Sequence, residues 1–330
     1  MLKTLITEMF GLRYPVMSAP MGLHSGGGIA AAVSKAGGLG MFGGTNPAGP
    51  DWVREQINLV RGQTNKPFGI GFITHLNPAF PQLFDVALEE KVPVIAFSFA
   101  DPQLWLERAK QNGATTICQV QDLAGARQAI AAGTDILVAQ GNEAGGHTGT
   151  MGLLPLLTTL LDKFPDVPVL AAGGITSGSA LAGVLAAGAQ GAWIGTAFLA
   201  TPECVEVPES FKAKIVQSDG EDTVYTEVFD ILDPEIFKIP PWPEGIAART
   251  LNNRFAQEWH GREDELRSQL DKVIPAYLEA LQRRDPEVCS VMFGQSAGFV
   301  ESIRPAAEVL KDICEDAERI LKQRLSGLLT

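Results

Sequence analysis

The sequence predicts an α/β fold: a (β/α)8 barrel with a helical insertion between its eighth strand and its last helix. Three observations carry this reading. Short apolar runs alternate with segments of helical spacing through the first two hundred residues, and the runs number eight. After Thr201 the texture changes, and near the end of the chain it gives way to one long amphipathic segment.

The apolar runs are 15–20 (PVMSAP), 39–43 (LGMFG), 67–72 (PFGIGF), 92–99 (VPVIAFSF), 115–120 (TTICQV), 136–141 (ILVAQG), 168–174 (PVLAAGG) and 191–198 (GAWIGTAF). Each is continuous rather than alternating, the pattern of parallel strands covered on both faces. Between them, Ile29–Ala36, Asp51–Arg61, Pro102–Asn112 and Leu123–Ala132 have helical spacing. Gly37-Gly38, Gly113, Gly133 and Gly188 each follow a helical segment and precede a strand, where a left-handed helix cap belongs. Eight such units in series point to a closed barrel rather than an open doubly wound sheet. The stretch Ala180–Ala200 is apolar enough to resemble a membrane span, but its glycines and Gln190 divide it into a short helix, a turn and a buried strand.

From about 202 to 296 the chain is richer in charge and bulky residues, with a Pro-rich loop at Ile239–Gly245 (IPPWPEG) and helices expected near 246–260 and 262–284. This segment reads as a mainly helical insertion or lid over the barrel mouth, with 1–201 and 297–330 forming the barrel. The stretch Ser302–Leu325 spaces Ile303, Ala306, Leu310, Ile313, Ala317, Ile320 and Leu321 at three- and four-residue intervals, an amphipathic helix suited to be the eighth of the barrel. Lys322 and Arg324 suit its C-terminal dipole, and Asp312, Glu315, Asp316 and Glu318 make its polar face acidic.

The composition bounds the function classes. Of 330 residues, 45% are hydrophobic and 19% charged, as in a soluble globular enzyme. A net charge of -12 argues against nucleic acid or an anionic membrane as partner. Cys118, Cys204, Cys289 and Cys314 are scattered, so neither a disulfide framework nor a metal site is expected, and a reducing cytoplasm is. The N-terminus has no long apolar h-region of a signal peptide.

In such barrels the active site lies on the loops that follow the strands, and phosphate usually sits after the seventh and eighth. The seventh run ends in Gly173-Gly174 and the eighth contains Ile194-Gly195-Thr196. Glycine lets backbone N–H groups approach a phosphate closely, although tight turns use glycine too. The loop after the sixth run, Gln140–Gly149, sets His147 among glycines at the barrel mouth, where an imidazole can take a proton or hold an anion. His24 and His75 also follow strands and are candidates to line the pocket, whereas His260 is expected on the surface. No GxSxG, HExxH or P-loop is present, and the loop after the sixth strand has no cysteine nucleophile.

Together these motifs resemble the nitronate monooxygenase family, once called 2-nitropropane dioxygenases, which are FMN-dependent TIM-barrel oxidoreductases. The matching stretches are Pro15–Met21 (PVMSAPM), Ala36–Gly40 (AGGLG), Ala139–Gly149 (AQGNEAGGHTG), Ala171–Ile175 (AAGGI) and Gly195–Thr201 (GTAFLAT), with Ser296-Ala297-Gly298 and Asp312–Leu328 in the tail. The resemblance implies FMN as cofactor, with its phosphate at Gly173, Gly174, Gly195 and Thr196, beside Ile194. It implies flavin contacts from Ser18, Ala19, Gly71, Gln119, Gln140 and Gly145, and makes His147 the catalytic residue facing flavin and substrate. It implies oxidation of an alkyl nitronate by O2 to a carbonyl compound and nitrite, by a monomer or homodimer. Ser18 and Gly71 stand where relatives often carry Gln and Asn, and the C-terminal third is more similar to related NADH:quinone reductases. An FMN-dependent NAD(P)H:quinone or enoyl-thioester reductase is the alternative enzyme, and a non-catalytic flavin- or phosphate-binding barrel the alternative of another class.

Overall fold

The computed structural model describes residues 2–328. Its strands are β1 (Val16–Ser18), β2 (Gly40–Gly43), β3 (Phe68–Ile73), β4 (Val94–Ser98), β5 (Thr115–Val120), β6 (Ile136–Gln140), β7 (Gly146–Thr148), β8 (Val169–Ala172), β9 (Ala192–Ile194), β10 (Thr223–Thr226) and β11 (Ala247–Leu251). Eight of these form one parallel sheet in the order β1-β9-β8-β6-β5-β4-β3-β2, and each coincides with one of the eight apolar runs. A parallel bridge from Met17 to Leu39 joins the two ends and closes the barrel. Ser18 N–H donates to Leu39 O at 3.1 Å and Leu39 N–H to Val16 O at 3.0 Å across this seam.

Inward side chains fill the barrel, among them Met17, Leu39, Met41, Val94, Ile117, Val138, Leu170 and Trp193. Ile6 of the short helix Leu5–Phe10 joins that cluster, so the helix plugs the barrel at the end opposite the strand C-termini. The glycine caps fall as expected, with φ of 103° at Gly37, 88° at Gly113, 85° at Gly133 and 112° at Gly188. The long helix Ala306–Leu328 packs between Gly27–Ala36 and Gly178–Ala186, the place of the last barrel helix. It starts four residues later than the apolar spacing suggests, leaving Ile303 outside. Pro305 turns Arg304 away from helical geometry, and the Glu203 carboxylate accepts from Ala306 N–H at 3.3 and 3.1 Å as a cap.

Residues 202–296 hold helices Glu209–Gln217, Asp233–Phe237, Arg254–Trp259, Glu263–Ser268 and Leu270–Arg283, together with β10 and β11. Val228, Phe229, Leu232, Phe255, Trp259, Leu266 and Tyr277 form a buried cluster of their own there. Residues 247–251, expected as the start of a helix, are instead the central strand of an antiparallel sheet β10-β11-β7. Ala247 and Ala248 are good helix formers, but helix propensity is a weak preference, and pairing on both sides with full burial overrides it. The helix expected over 262–284 breaks at Gln269, whose φ of -122° and ψ of 16° lie outside helical geometry.

Candidate active site

The loop after β6 is built residue by residue. Gln140 is the hub: Gln119 Nε2 and Gln121 Nε2 donate to its Oε1 at 3.0 and 2.8 Å, and its Nε2 donates to His147 O at 3.0 Å. Asn142 Nδ2 donates to Gly149 O at 2.6 Å, closing the loop on itself. Both Glu143 carboxylate oxygens accept from Leu153 N–H, at 3.1 and 3.0 Å, and cap the helix Leu153–Lys163. Gly145 leaves no room for a side chain: a Cβ there would lie 2.3 Å from the Phe293 carbonyl carbon. His147 therefore does not sit on bare loop. It is the middle residue of β7, opposite Ala248 of β11. Arg249, next on β11, is buried and grips the loop by donating from Nε to Asn142 O at 2.8 Å and from a terminal nitrogen to Asn142 Oδ1 at 2.5 Å.

His147 Nε2 lies 2.8 Å from Asp230 Oδ1, and the two side chains are 9% and 7% exposed. Trp242, from the Pro-rich loop, stacks on the imidazole. Burial, and then the charge of Asp230, pushes the Asp233 carboxyl up to about 6. Burial, with His147 second, pushes the His75 imidazole down to about 4, and neither of its ring nitrogens has a hydrogen-bond partner. Burial also lowers His24, whose Nδ1 sits 2.9 Å from Gly22 O. His260 lies at the surface of the 202–296 segment, its Nδ1 3.0 Å from Thr226 Oγ1.

A cavity of about 690 Å³ opens at the C-terminal ends of the strands. It is lined by Ala19, Gly71, Gln119, Gln140, Gly145, His147, Gly173, Gly174, Ile194, Gly195 and Thr196, which brings all but one of the expected site residues together. Gly173 and Gly174 take φ of 104° and 69°, conformations that side-chain-bearing residues rarely adopt. Gly71 reaches the wall but turns its α-carbon to Pro20, whose Cγ would lie 2.3 Å from an added Cβ. Thr196 Oγ1 accepts from Gly294 N–H at 3.0 Å.

Ser18 is the exception and is corrected here. Its side chain is fully buried and outside the cavity wall: Oγ accepts from Met41 N–H at 2.7 Å and donates to Met41 O at 3.2 Å. The hydroxyl acts as a clasp across the β1–β2 seam. Its neighbour Ala19 lines the cavity. His24 lines it as well, whereas His75 stands behind Trp242, ring centroids 4.7 Å apart.

Sequence reasoning missed Asp230, Asp233 and Trp242, which approach His147 from the segment above the barrel. Only the tryptophan had a signal, as the one aromatic in IPPWPEG. A second, apolar lobe of the cavity is lined by Phe211, Phe229, Phe237, Ile239, Tyr277 and Leu281.

Comparison with known proteins agrees with this geometry. The nitronate monooxygenase family model matches residues 3–83 and 75–316. A Paraburkholderia phytofirmans nitronate monooxygenase is 32% identical over 271 residues, covering 68% of this chain and 73% of that one. A Mycobacterium tuberculosis protein named (3aS,4S,5R,7aS)-5-hydroxy-7a-methyl-1-oxo-octahydro-1H-indene-4-carboxyl-CoA dehydrogenase is 34% identical over 231 residues, covering 69% of this chain. The match spans 64% of that relative's length, less than two thirds of it. The solved structure of FabK from Thermotoga maritima superposes with a TM-score of 0.86 at 32% identity, covering 99% of this chain and 100% of that one. The chain thus belongs to the nitronate monooxygenase family of TIM-barrel oxidoreductases.

Proposed function

We propose that the protein is an FMN-dependent enzyme that oxidises alkyl nitronates with O2, releasing a carbonyl compound and nitrite. The observation that carries this is His147, whose imidazole faces the cavity while its Nε2 is held from behind by Asp230. Family membership implies a flavin, and the cavity fits FMN. Its volume suits a cofactor with a small substrate. Gly173, Gly174 and Gly195 keep side chains out of the wall where the phosphate is expected, and Thr196 adds a hydroxyl. Gln119 and Gln140 offer amide groups, and Ala19, Gly71, Gly145 and Ile194 offer backbone beside the ring system.

Bound FMN supplies the electron acceptor. His147 holds the nitronate anion by hydrogen bond or, for a neutral nitroalkane, takes its α-proton while the C–H electron pair stays on the substrate as the nitronate. Phe99, Trp242 and the apolar lobe keep water from the reacting carbon and so strengthen that hydrogen bond. A cytoplasmic location is part of this reading and suits the four buried, free cysteines. No helix among the described residues is long and apolar enough to cross a membrane.

The apolar lobe favours a second reading, an NAD(P)H-dependent reductase of a quinone or an enoyl thioester, because it can take a long aliphatic or ring substituent. An anaerobic absorbance scan separates the two. We expect the flavin spectrum to change on mixing with propionate 3-nitronate and to stay unchanged with NADH; rapid bleaching by NADH would move the protein to the reductase reading.

A further inference from the structure

The His147–Asp230 contact joins a residue of the barrel loop to one 83 positions away, in the turn that follows β10. Among the described residues, Asp230 Oδ1 has His147 Nε2 as its partner, and Oδ2 is buried with none. A buried carboxylate with a single partner is costly to hold unless that partner carries a proton for it. An ionised Asp230 can only accept, so Nε2 is the nitrogen that carries the proton. No protein group among the described residues bonds Nδ1, and the ring lines the cavity.

The surroundings of His147 are asymmetric in charge. From the segment above come Asp230 and Asp233, and from the loops after β1 and β3 come His24 and His75, both held towards the neutral form by burial. The phenols of Tyr225 and Tyr277 stand near the two carboxylates, with burial favouring their neutral forms. Trp242 offers a π-face to the imidazole, which favours a cation there.

We propose that Asp230 is a positioning residue for His147: it fixes Nε2 as the N–H, leaves Nδ1 as the nitrogen that meets the substrate, and balances the imidazolium once a proton arrives. When Nδ1 takes an α-proton, the C–H bond breaks, its electron pair remains on the substrate, and the new positive charge is paired with the Asp230 carboxylate. When the substrate arrives as the anion, the imidazolium, its charge paired with the Asp230 carboxylate and its second proton taken from solvent, donates Nδ1–H to it. The proposal rests on His147 facing the substrate, but the pairing itself exists in the free enzyme.

The test uses the holoenzyme with Asp230→Asn, Asp230→Glu and His147→Asn, read by ¹⁵N–¹H NMR of the histidine rings. The chain has 4 histidines, and the set of signals lost in His147→Asn assigns that ring. In the wild type we expect the Nε2–H tautomer at high pH. In Asp230→Asn we expect the Nε2–H preference to weaken and Nδ1–H to appear, since an amide can donate as well as accept. We expect kcat with propionate 3-nitronate to fall about 100-fold, KM to change much less, and Asp230→Glu to recover part of both signals. An Nδ1–H tautomer in the wild type would overturn the proposal, and so would an unchanged His147 tautomer in folded Asp230→Asn, even if that variant melted at a lower temperature. Should Asp230→Asn not fold, the wild-type tautomer decides. Should the wild type not turn over nitronates, the function proposed above fails while the NMR result still judges the pairing.

Discussion

The indole of Trp242 lies flat on the imidazole of His147, with ring centroids 3.4 Å apart and planes 13° from parallel. Phe99 meets the same indole edge-on at 5.3 Å. The stack roofs the cavity over the residue proposed to meet the substrate. Removing it in Trp242→Ala admits water and unseats the imidazole, so we expect kcat/KM for a nitronate to drop about tenfold, or 1.4 kcal/mol. Trp242→Phe should lose less, because a flat ring is retained. Oxygen-uptake kinetics on the two variants measure this, and equal rates in all three proteins would show that the roof plays no part.

The proposed phosphate site can be probed without breaking the fold. Gly174 has φ of 69°, so Gly174→Val strains the backbone itself and should cost stability before any cofactor is considered. Gly195 has φ of -106°, and an added Cβ would meet only Met21 Sδ at 3.4 Å and Ala19 Cβ at 3.7 Å. Gly195→Val should therefore melt cooperatively yet bind FMN at least about tenfold more weakly. Fluorescence titration of FMN into the apoprotein measures it, and wild-type affinity would remove the phosphate from this loop.

Two buried groups give stability opposite pH dependences. His75 is lowered from 6.5 to about 4, so between those values the unfolded chain binds more protons, and stability is lost as pH falls through that window. Asp233 is raised from 3.8 to about 6, so there the folded chain binds more protons, and stability is lost as pH rises towards 6. Asp233→Asn should then gain stability over the wild type as pH goes from 4 to 7, by up to about 3 kcal/mol. His75→Gln should flatten the acid limb instead. Thermal melts at half-unit pH steps separate the two, and parallel wild-type and variant curves would contradict both assignments.

Arg249 ties the upper sheet to the signature loop through Asn142, and Nη1 reaches Thr223 Oγ1 at 3.2 Å. Burial lowers the Arg249 pKa, yet a guanidinium stays charged near neutrality, so these bonds are made by a cation. Arg249→Met should cost about 2 kcal/mol in denaturant unfolding and slow turnover by loosening the loop. Arg249→Lys should rescue little, because one ammonium cannot replace a fork that grips two oxygens of one residue. Full rescue by lysine would mean that charge, not geometry, is what matters.

The barrel was legible because its evidence is local. Continuous apolar runs, helical spacing between them and a glycine after four of the helices are features of neighbouring residues, and each of the eight barrel strands coincides with one run, β3 reaching one residue past its own. Most of the cavity wall was legible for the same reason, since residues following barrel strands share one rim. The rest depends on contacts distant in sequence. A histidine between glycines does not show that it will pair with a strand a hundred residues away, nor that Asp230 waits for its Nε2. Ser18 was misplaced because the residue ending a barrel strand can face the mouth or the seam, and here a hydroxyl short enough to bridge Met41 N–H and O chose the seam.

The pairing of β7 with β11 sets Thr148 opposite Ala247, His147 opposite Ala248 and Gly146 opposite Arg249. Residues 140–149 and 202–296 are thus separable on paper but joined in the molecule. A chimaera that borrowed only the upper segment from a relative would give His147 a foreign neighbour, a foreign carboxylate and a foreign roof at once. The loop and the segment are therefore expected to be exchanged together, since the strand pairing that joins them would otherwise have to be rebuilt between unrelated partners.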